Sequence, residues 1–335
     1  MKQAMFQEQK EEKKVQCSLC NHHCLVSPGK RGICAVRENR DGILYSLVYD
    51  KVIARNIDPI EKKPLFHFLP GSLSYSIATA GCNFRCKHCQ NADISQLPAS
   101  RSDIPGLAIT PSAIVEATQK SRCASISYTY TEPTIYFELA YDTARLAAEA
   151  GLKNIFVTNG YITPEALHVI KPYLHAANID LKGFTDDFYK KICGARLQPV
   201  LDSIKLYREL GIWIEITTLV IPGHNDSDSE LRDIAKFIKS VGEDIPWHVS
   251  RFHPTYKLID QPITSAETLS RAREIGLETG LRYVYEGNLP GQGEQTNCWS
   301  CKQTLVERFG FSVQKNMIKE GKCGFCGAKI EGVWV

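Results

Sequence analysis

From residue 72 onward, short apolar runs alternate with amphipathic stretches. The runs "SYSIAT" (74–79), "ASISYTY" (124–130), "NIFVTN" (154–159), "NIDL" (178–181), "WIEITTLV" (213–220) and "WHVS" (247–250) read as strands. They are short, and most are rich in β-branched and aromatic residues. Helical patterns separate them. "TPSAIVEATQK" opens on an N-cap threonine and an N1 proline, and "TPEALHVIKPYL" repeats that start. "EPTIYFELAYDTARLAAEAG" stops at Gly151, a C-cap residue. "SDSELRDIAKFIKSVG" spaces its apolar positions helically, and "TSAETLSRAREIG" closes the series. Strands alternating with helices predict an α/β fold, a parallel sheet covered by helices. The number of units predicts a partial (β/α)6-type barrel. A doubly wound open sheet is the competing arrangement.

The pattern divides the chain into residues 1–71, an N-terminal cysteine-rich region, 72–290, the barrel, and 291–335, a C-terminal cysteine-rich region. "GILYSLVYDKVIARNI" (42–57) reads as two short strands around a polar turn. With 43% apolar residues in 335, the chain has the means for a sizeable core. A net charge of +3 is too small to argue for nucleic acid. No apolar run reaches the ~18–20 residues of a membrane span. "MKQAMFQEQKEEKK" lacks the apolar core of a secretory signal, which predicts a cytoplasmic protein.

Cysteine spacing changes the picture from fold to chemistry. Of 13 cysteines, all but Cys123 and Cys193 fall in three groups: Cys17, Cys20, Cys24 and Cys34; Cys82, Cys86 and Cys89; Cys298, Cys301, Cys323 and Cys326. In a reducing compartment such groups are metal ligands rather than disulfides. The two lone cysteines read as small buried hydrophobes. The loop "GCNFRCKHCQN" (81–91) follows the first core strand. Reactive groups sit at the C-terminal ends of strands in barrels and open α/β sheets alike. Three close thiolates suit an iron–sulfur cube with one iron left open to a ligand. A zinc site completed by His88 or a distant residue is the competing reading.

Gly81-Cys82-x3-Cys86-x2-Cys89-Gln90-Asn91 at the head of a β/α series resembles the radical S-adenosylmethionine (SAM) superfamily. That resemblance implies that the three cysteines hold a [4Fe–4S] cluster and that SAM chelates the fourth iron. It implies reductive cleavage of SAM to methionine and a 5′-deoxyadenosyl radical, which takes a hydrogen atom from a substrate. His88 stands where the family usually has an aromatic residue. "YTYTEPT" resembles the family's Gly-Gly-Glu segment without its glycines. The resemblance makes Glu132, after Thr131, an acceptor for the SAM ammonium; a helix cap is its alternative role. By the same resemblance, Asn159 meets a ribose hydroxyl or the SAM carboxylate, and the Asp180-x-Lys182 pair of "IDLKG" lies near SAM. Ile221 and Gly223 of "TTLVIPGHND" would pack against adenine. His248 or Ser250 would face SAM, with Arg251 and His253 toward substrate.

The paired knuckles Cys298-x2-Cys301 and Cys323-x2-Cys326 are 21 residues apart and read as a closed zinc ribbon, with an auxiliary iron–sulfur cluster as alternative. Cys17-x2-Cys20-x3-Cys24-x9-Cys34 also fits zinc or an auxiliary cluster, with His22 and His23 as substitutes. The full order of segments, including "GKRGICAVRENRDGILYSLVY", "DPIEKKPLFHFLPGS" and "CGAKIEGVW", resembles the AmmeMemoRadiSam-system radical SAM enzymes. These are relatives of pyruvate formate-lyase (glycyl-radical-enzyme) activating enzymes. The resemblance implies a radical SAM oxidoreductase with a protein or peptide substrate. It also implies a flavodoxin or ferredoxin-type electron donor and association with AMMECR1-like or Memo-like proteins. Glu61, Lys62 and Lys63 are either substrate contacts or an exposed charged turn. The rival function is a non-catalytic zinc protein that binds nucleic acid or a protein partner.

Overall fold

In the computed structural model, which describes residues 1–99, 103–289, 291 and 293–334, each of the six apolar runs forms a strand of one nine-stranded sheet. Its strands are β1 (Lys51–Pro59), β2 (Leu73–Thr79), β3 (Leu107–Ala108), β4 (Ser125–Tyr128), β5 (Lys153–Thr158), β6 (Ala176–Asp180), β7 (Trp213–Val220), β8 (Trp247–Arg251) and β9 (Val284–Gly287). The order across the sheet is β9-β8-β7-β6-β5-β4-β2-β1-β3. Strands β2 and β4 to β9 are parallel and lie in sequence order. Right-handed crossovers then place every connecting helix on the same face. A doubly wound sheet reverses its order at a switch point, and this one does not. Its edges, β9 and β3, are unjoined, so the barrel is partial.

The helices are α1 (Pro111–Lys120), α2 (Phe137–Glu149), α3 (Pro164–Ile170), α4 (Gln198–Glu209), α5 (Asp228–Val241) and α6 (Ala266–Thr279). Thr110, Ser227 and Ser265 cap α1, α5 and α6 by accepting a backbone N–H from the third residue on. Thr163 also precedes a proline-led helix, but its hydroxyl donates to Ser18 O at 2.8 Å instead. That bond ties the barrel to the N-terminal region. Helix α4 and strand β9 add to the elements expected from the runs. Strand β1 runs antiparallel to β2 from Val52 opposite Thr79 to Pro59 opposite Leu73, so residues numbered below 72 extend the barrel sheet. The expected boundary at 290 lies outside the described residues.

Two small modules flank the sheet. The N-terminal one consists of short antiparallel strands. It docks through a buried ion pair, Arg37 Nη2 to Glu138 Oε1 at 2.6 Å. The C-terminal one is the hairpin β10 (Thr304–Phe309) and β11 (Ser312–Asn316) with its cysteine knuckles. Arg308 of β10, fully buried, donates to Phe66 O at 2.8 Å and fixes this module to the segment between β1 and β2. No helix among the described residues is long and apolar enough to cross a membrane.

Candidate functional site

The C-terminal ends of the parallel strands surround a cavity of about 580 Å³, within the size range of small-molecule sites. Cys82, Cys86, Cys89, Glu132, Asn159, Asp180, Lys182, His248 and Ser250 all line it. Register explains the meeting. Asp180 pairs with Thr217, Thr217 with His248, and Ser250 with Gly287 across neighbouring strands. A Cβ on Gly287 would lie 2.5 Å from Ser250 Oγ, so a larger residue there would displace that hydroxyl. Ile221 does not line the cavity. It is fully buried, and its N–H donates to Asn225 Oδ1 at 2.6 Å.

The cysteine loop is held from behind. Arg85 N–H donates to Cys193 O at 2.8 Å and Lys87 N–H to Ile192 O at 2.9 Å. Burial raises the Cys82 and Cys89 thiols, with the Glu132 carboxylate adding to the rise at Cys82. A hydrogen bond with the Cys193 thiol lowers Cys86 against the effect of burial, and the Lys182 ammonium lowers it further. Cys193 does not line the cavity, so among the described residues three thiols face it, joined there by the Glu132 carboxylate and the Asn159 amide among others. That donor set fits a [4Fe–4S] cluster with one iron left for a chelating ligand.

Glu132 is buried and its acceptor capacity is unevenly used. Oε1 accepts from Thr134 N (3.1 Å), Thr134 Oγ1 (2.6 Å) and Thr158 Oγ1 (2.7 Å). Oε2 accepts only Asn159 N–H, at 2.8 Å, and retains room for another donor. Glu132 therefore caps the turn Pro133–Tyr136 and still presents an oxygen to the cavity. Burial raises its pKa against the pull of these donors. Asn159 Nδ2 donates to Asn83 Oδ1 at 2.8 Å, linking β5 to the cysteine loop.

Lys182 Nζ bonds Asp180 Oδ2 at 2.7 Å. Burial alone would lower the lysine, but Asp180 and the nearby Cys86 and Cys193 hold it well above its ordinary value. His88 is pushed down to about 3 by burial, with Lys182 and His224 contributing, and its ring stacks on Phe188. It is a neutral flat ring at neutral pH.

Glu61, Lys62 and Lys63 line the cavity too, and Glu61 and Lys63 are buried rather than exposed. Lys63 Nζ bonds Asp58 Oδ2 at 2.6 Å, and Tyr130 donates to the same oxygen at 2.5 Å. Sequence reasoning missed Asp58, Tyr130 and Glu215. Glu215 accepts from His248 Nε2 (2.7 Å), His67 N (2.8 Å), Phe66 N (3.0 Å) and Trp213 Nε1 (3.1 Å). Its signal was a carboxylate inside the apolar run "WIEITTLV". Glu286 was missed with β9; it lines the cavity and leaves Oε2 without a hydrogen-bond partner.

The C-terminal cysteines are drawn close together. Cys298, Cys301, Cys323 and Cys326 bring their sulfurs within 4.8 Å of one another, with Cys298–Cys326 and Cys301–Cys323 at 3.7 Å. A tetrahedral ion with ~2.3 Å bonds to sulfur sets its ligands ~3.8 Å apart. Backbone N–H groups of Phe325 and Cys326 point at Cys323 Sγ at 3.4 Å, which stabilises a thiolate.

The Radical SAM superfamily profile matches residues 76–238, from β2 into α5. The chain is 49% identical to Uncharacterized protein MJ0808 of Methanocaldococcus jannaschii over 99% of both chains. It is 22% identical to the pyruvate formate-lyase-activating enzyme of Clostridium pasteurianum over 62% of this chain and 89% of that one. The solved radical SAM methyltransferase of Sphaerobacter thermophilus shares the fold with a TM-score of 0.52 at 14% identity, covering 65% of this chain and 67% of that one.

Proposed function

The chain belongs to the radical SAM superfamily, and from that premise we propose that it cleaves SAM reductively to act on a protein or peptide, in the manner of an activating enzyme. The observation that carries this reading is the meeting of three thiols, the buried Glu132 carboxylate and the partly buried Lys182 ammonium in one cavity at the strand ends. Cys82, Cys86 and Cys89 would hold a [4Fe–4S] cluster, which would supply the electron for reductive cleavage of SAM. Glu132 Oε2 takes the SAM ammonium, and Asn159 braces that carboxylate through its N–H. Neutral His88 offers a flat face to adenine. Lys182, held protonated by its ion pair with Asp180, keeps a positive charge beside Cys86. His248 and Ser250 line the far side, toward SAM, and Glu286 offers an acceptor to substrate. The walls around these groups keep water from the reactive species.

The likeness to the activating enzyme supports a protein or peptide substrate. Phe311, between β10 and β11, adds a half-exposed apolar edge to the cavity. We assign zinc to the four C-terminal thiols, a low-potential flavodoxin or ferredoxin as electron donor, the cytoplasm as setting, and AMMECR1-like or Memo-like proteins as associates. The test is anaerobic reconstitution with SAM and dithionite. 5′-Deoxyadenosine forms with the wild-type chain and not with Cys86→Ala. Product that survives in Cys86→Ala, or a reconstituted chain holding zinc alone, overturns the reading.

A further inference from the structure

We propose that an extended segment of the peptide substrate docks on the free edge of β1, as an added strand beside the cavity. Strand β1 is nine residues long, but β3 covers its outer side only at Lys51 and Val52. Hydrogen-bond alternation identifies what the rest of that side offers. Ile60 N–H donates to Ser72 O at 2.9 Å, and the pairs Asp58–Ser74, Asn56–Ser76 and Ala54–Ala78 continue that series at every second position. On the other side of β2, Ala124 N–H donates to Leu73 O at 2.9 Å and Thr129 N–H to Ile77 O at 3.0 Å, so the odd residues of β2 face β4. Residues 54, 56 and 58 therefore direct their backbone groups to β2, and Arg55 and Ile57 turn theirs outward. Among the described residues no strand pairs with that outward side beyond Val52.

The open stretch is bounded at both ends. The register with β2 shifts between Val52 and Ala54, and Pro59 has no N–H to give. Sheet edges are blunted in these two ways. Arg55, Asn56 and Ile57 between them are exposed. The other face of the same stretch reaches the cavity. Asn56 Nδ2 donates to the Tyr130 hydroxyl at 3.1 Å, and that hydroxyl donates to Asp58, which also holds Lys63. Tyr130 and Lys63 both line the cavity. A strand laid on Arg55 and Ile57 would run about 4.8 Å from β1 and put every second side chain on the Tyr130 side.

The exposed side chains give the segment its character. Arg55 forms no ion pair among the described residues, and Ile57 is 51% exposed. Residues directly opposite in an antiparallel pair interact through their side chains. The segment therefore carries an acid opposite Arg55 and an apolar residue opposite Ile57. The residue between these two shares the face of Asn56 and turns toward the cavity. Main-chain bonds hold the segment and two side chains select it, as in other recognition by strand addition. That the occupant is the substrate rests on the function proposed above and on the continuity of this edge with the cavity.

The probe is a library of random-sequence peptides displayed on phage, selected against the full chain after anaerobic reconstitution with SAM. We expect enriched peptides to carry an apolar residue two positions before an acid. Ile57→Pro removes one outward N–H and leaves the ladder with β2 intact. It should keep the wild-type iron content and weaken an enriched peptide by about tenfold, the worth of one backbone hydrogen bond. N-Methylation along that peptide should weaken binding at alternate positions only. If Ile57→Pro does not fold, the N-methyl series on the wild-type chain decides. No enriched peptide, equal binding to Ile57→Pro, or an N-methyl profile without a period of two overturns the proposal. A dimer in sedimentation that Ile57→Pro dissolves shows that the edge holds a second copy of this chain, which overturns it too. Failure of the proposed function reads differently: the wild-type chain forms no 5′-deoxyadenosine, whatever peptides it binds.

Discussion

Lys182 Nζ and Asp180 Oδ2 form a 2.7 Å ion pair at the C-terminal end of β6, with the Cys86 thiol close to the ammonium. The pair places a cation beside the cysteine loop, and the carboxylate keeps that cation ionised at neutral pH despite burial. Lys182→Met keeps most of the side chain's bulk and removes its charge. Iron content should stay at the wild-type level, because no ligand is lost. The rate of 5′-deoxyadenosine formation should fall ~10–100-fold, the usual cost of losing a group that supports a metal site. A wild-type rate in the iron-loaded variant would remove Lys182 from the site.

Glu132→Gln puts an amide where four donors converge. Glutamine offers one acceptor oxygen, and its NH2 meets other donors head-on. SAM should bind more weakly by about 1.5–3 kcal/mol, the worth of a hydrogen bond to a charged group. Titration calorimetry on the reconstituted protein measures this. Unchanged affinity would leave Glu132 as a cap for Pro133–Tyr136 alone.

Asp58 gives the pH dependence. Burial by itself would raise its pKa, but hydrogen bonds from Lys63, Tyr130 and Lys62 bring it below the ordinary value. The folded pKa is thus lower than the unfolded one, near ~3.9. The stabilisation is complete above that value and is lost as pH falls through the folded pKa. Asp58→Asn strands Lys63, whose ammonium is buried, and should cost about 3–5 kcal/mol at pH 7. In urea unfolding the difference between variant and wild type should narrow as pH drops below ~3.9. A gap that is the same at pH 7 and pH 3 would show that the ion pair contributes nothing.

What could be read from the sequence was local. The run 213–220 matches β7 residue for residue, because an apolar stretch between turns leaves little choice of conformation. The cysteine loop carries its three cysteines within eight positions, so their spacing is visible without a fold. Strand β9 was missed because Val284–Gly287 is short, charged at Glu286 and ends in glycine. Helix α4 does carry Val200, Leu201, Ile204 and Tyr207 at helical spacing, a signal passed over in the alternating series. Asp58 and Tyr130 meet across 72 positions, and Arg308 reaches Phe66 across 242. Such partners are chosen by strand order and module docking, which no local pattern encodes.

The C-terminal ribbon should matter to a reaction it does not perform. Cys298 and its three partners fix the knuckles from which β10 and β11 extend. From β10, Arg308 enters the interior and donates to Thr296 Oγ1 at 2.8 Å and Phe66 O at 2.8 Å. Its guanidinium lies 4.3 Å over the Phe66 ring, and Phe66 in turn meets the His248 ring edge-on at 4.8 Å. His248 lines the cavity, so the thiols and the site share one packed path. Cys298→Ser should abolish metal binding at the C-terminal thiols and make residues 300–330 faster to cleave by trypsin. It should leave iron at Cys82, Cys86 and Cys89 intact. SAM cleavage should slow, by up to about 100-fold if the cavity wall shifts by an ångström. The measurement is zinc and iron content beside the rate of 5′-deoxyadenosine formation in the same preparation. A zinc-free chain with full activity would make the ribbon a separate module, with Arg308 holding the wall unaided.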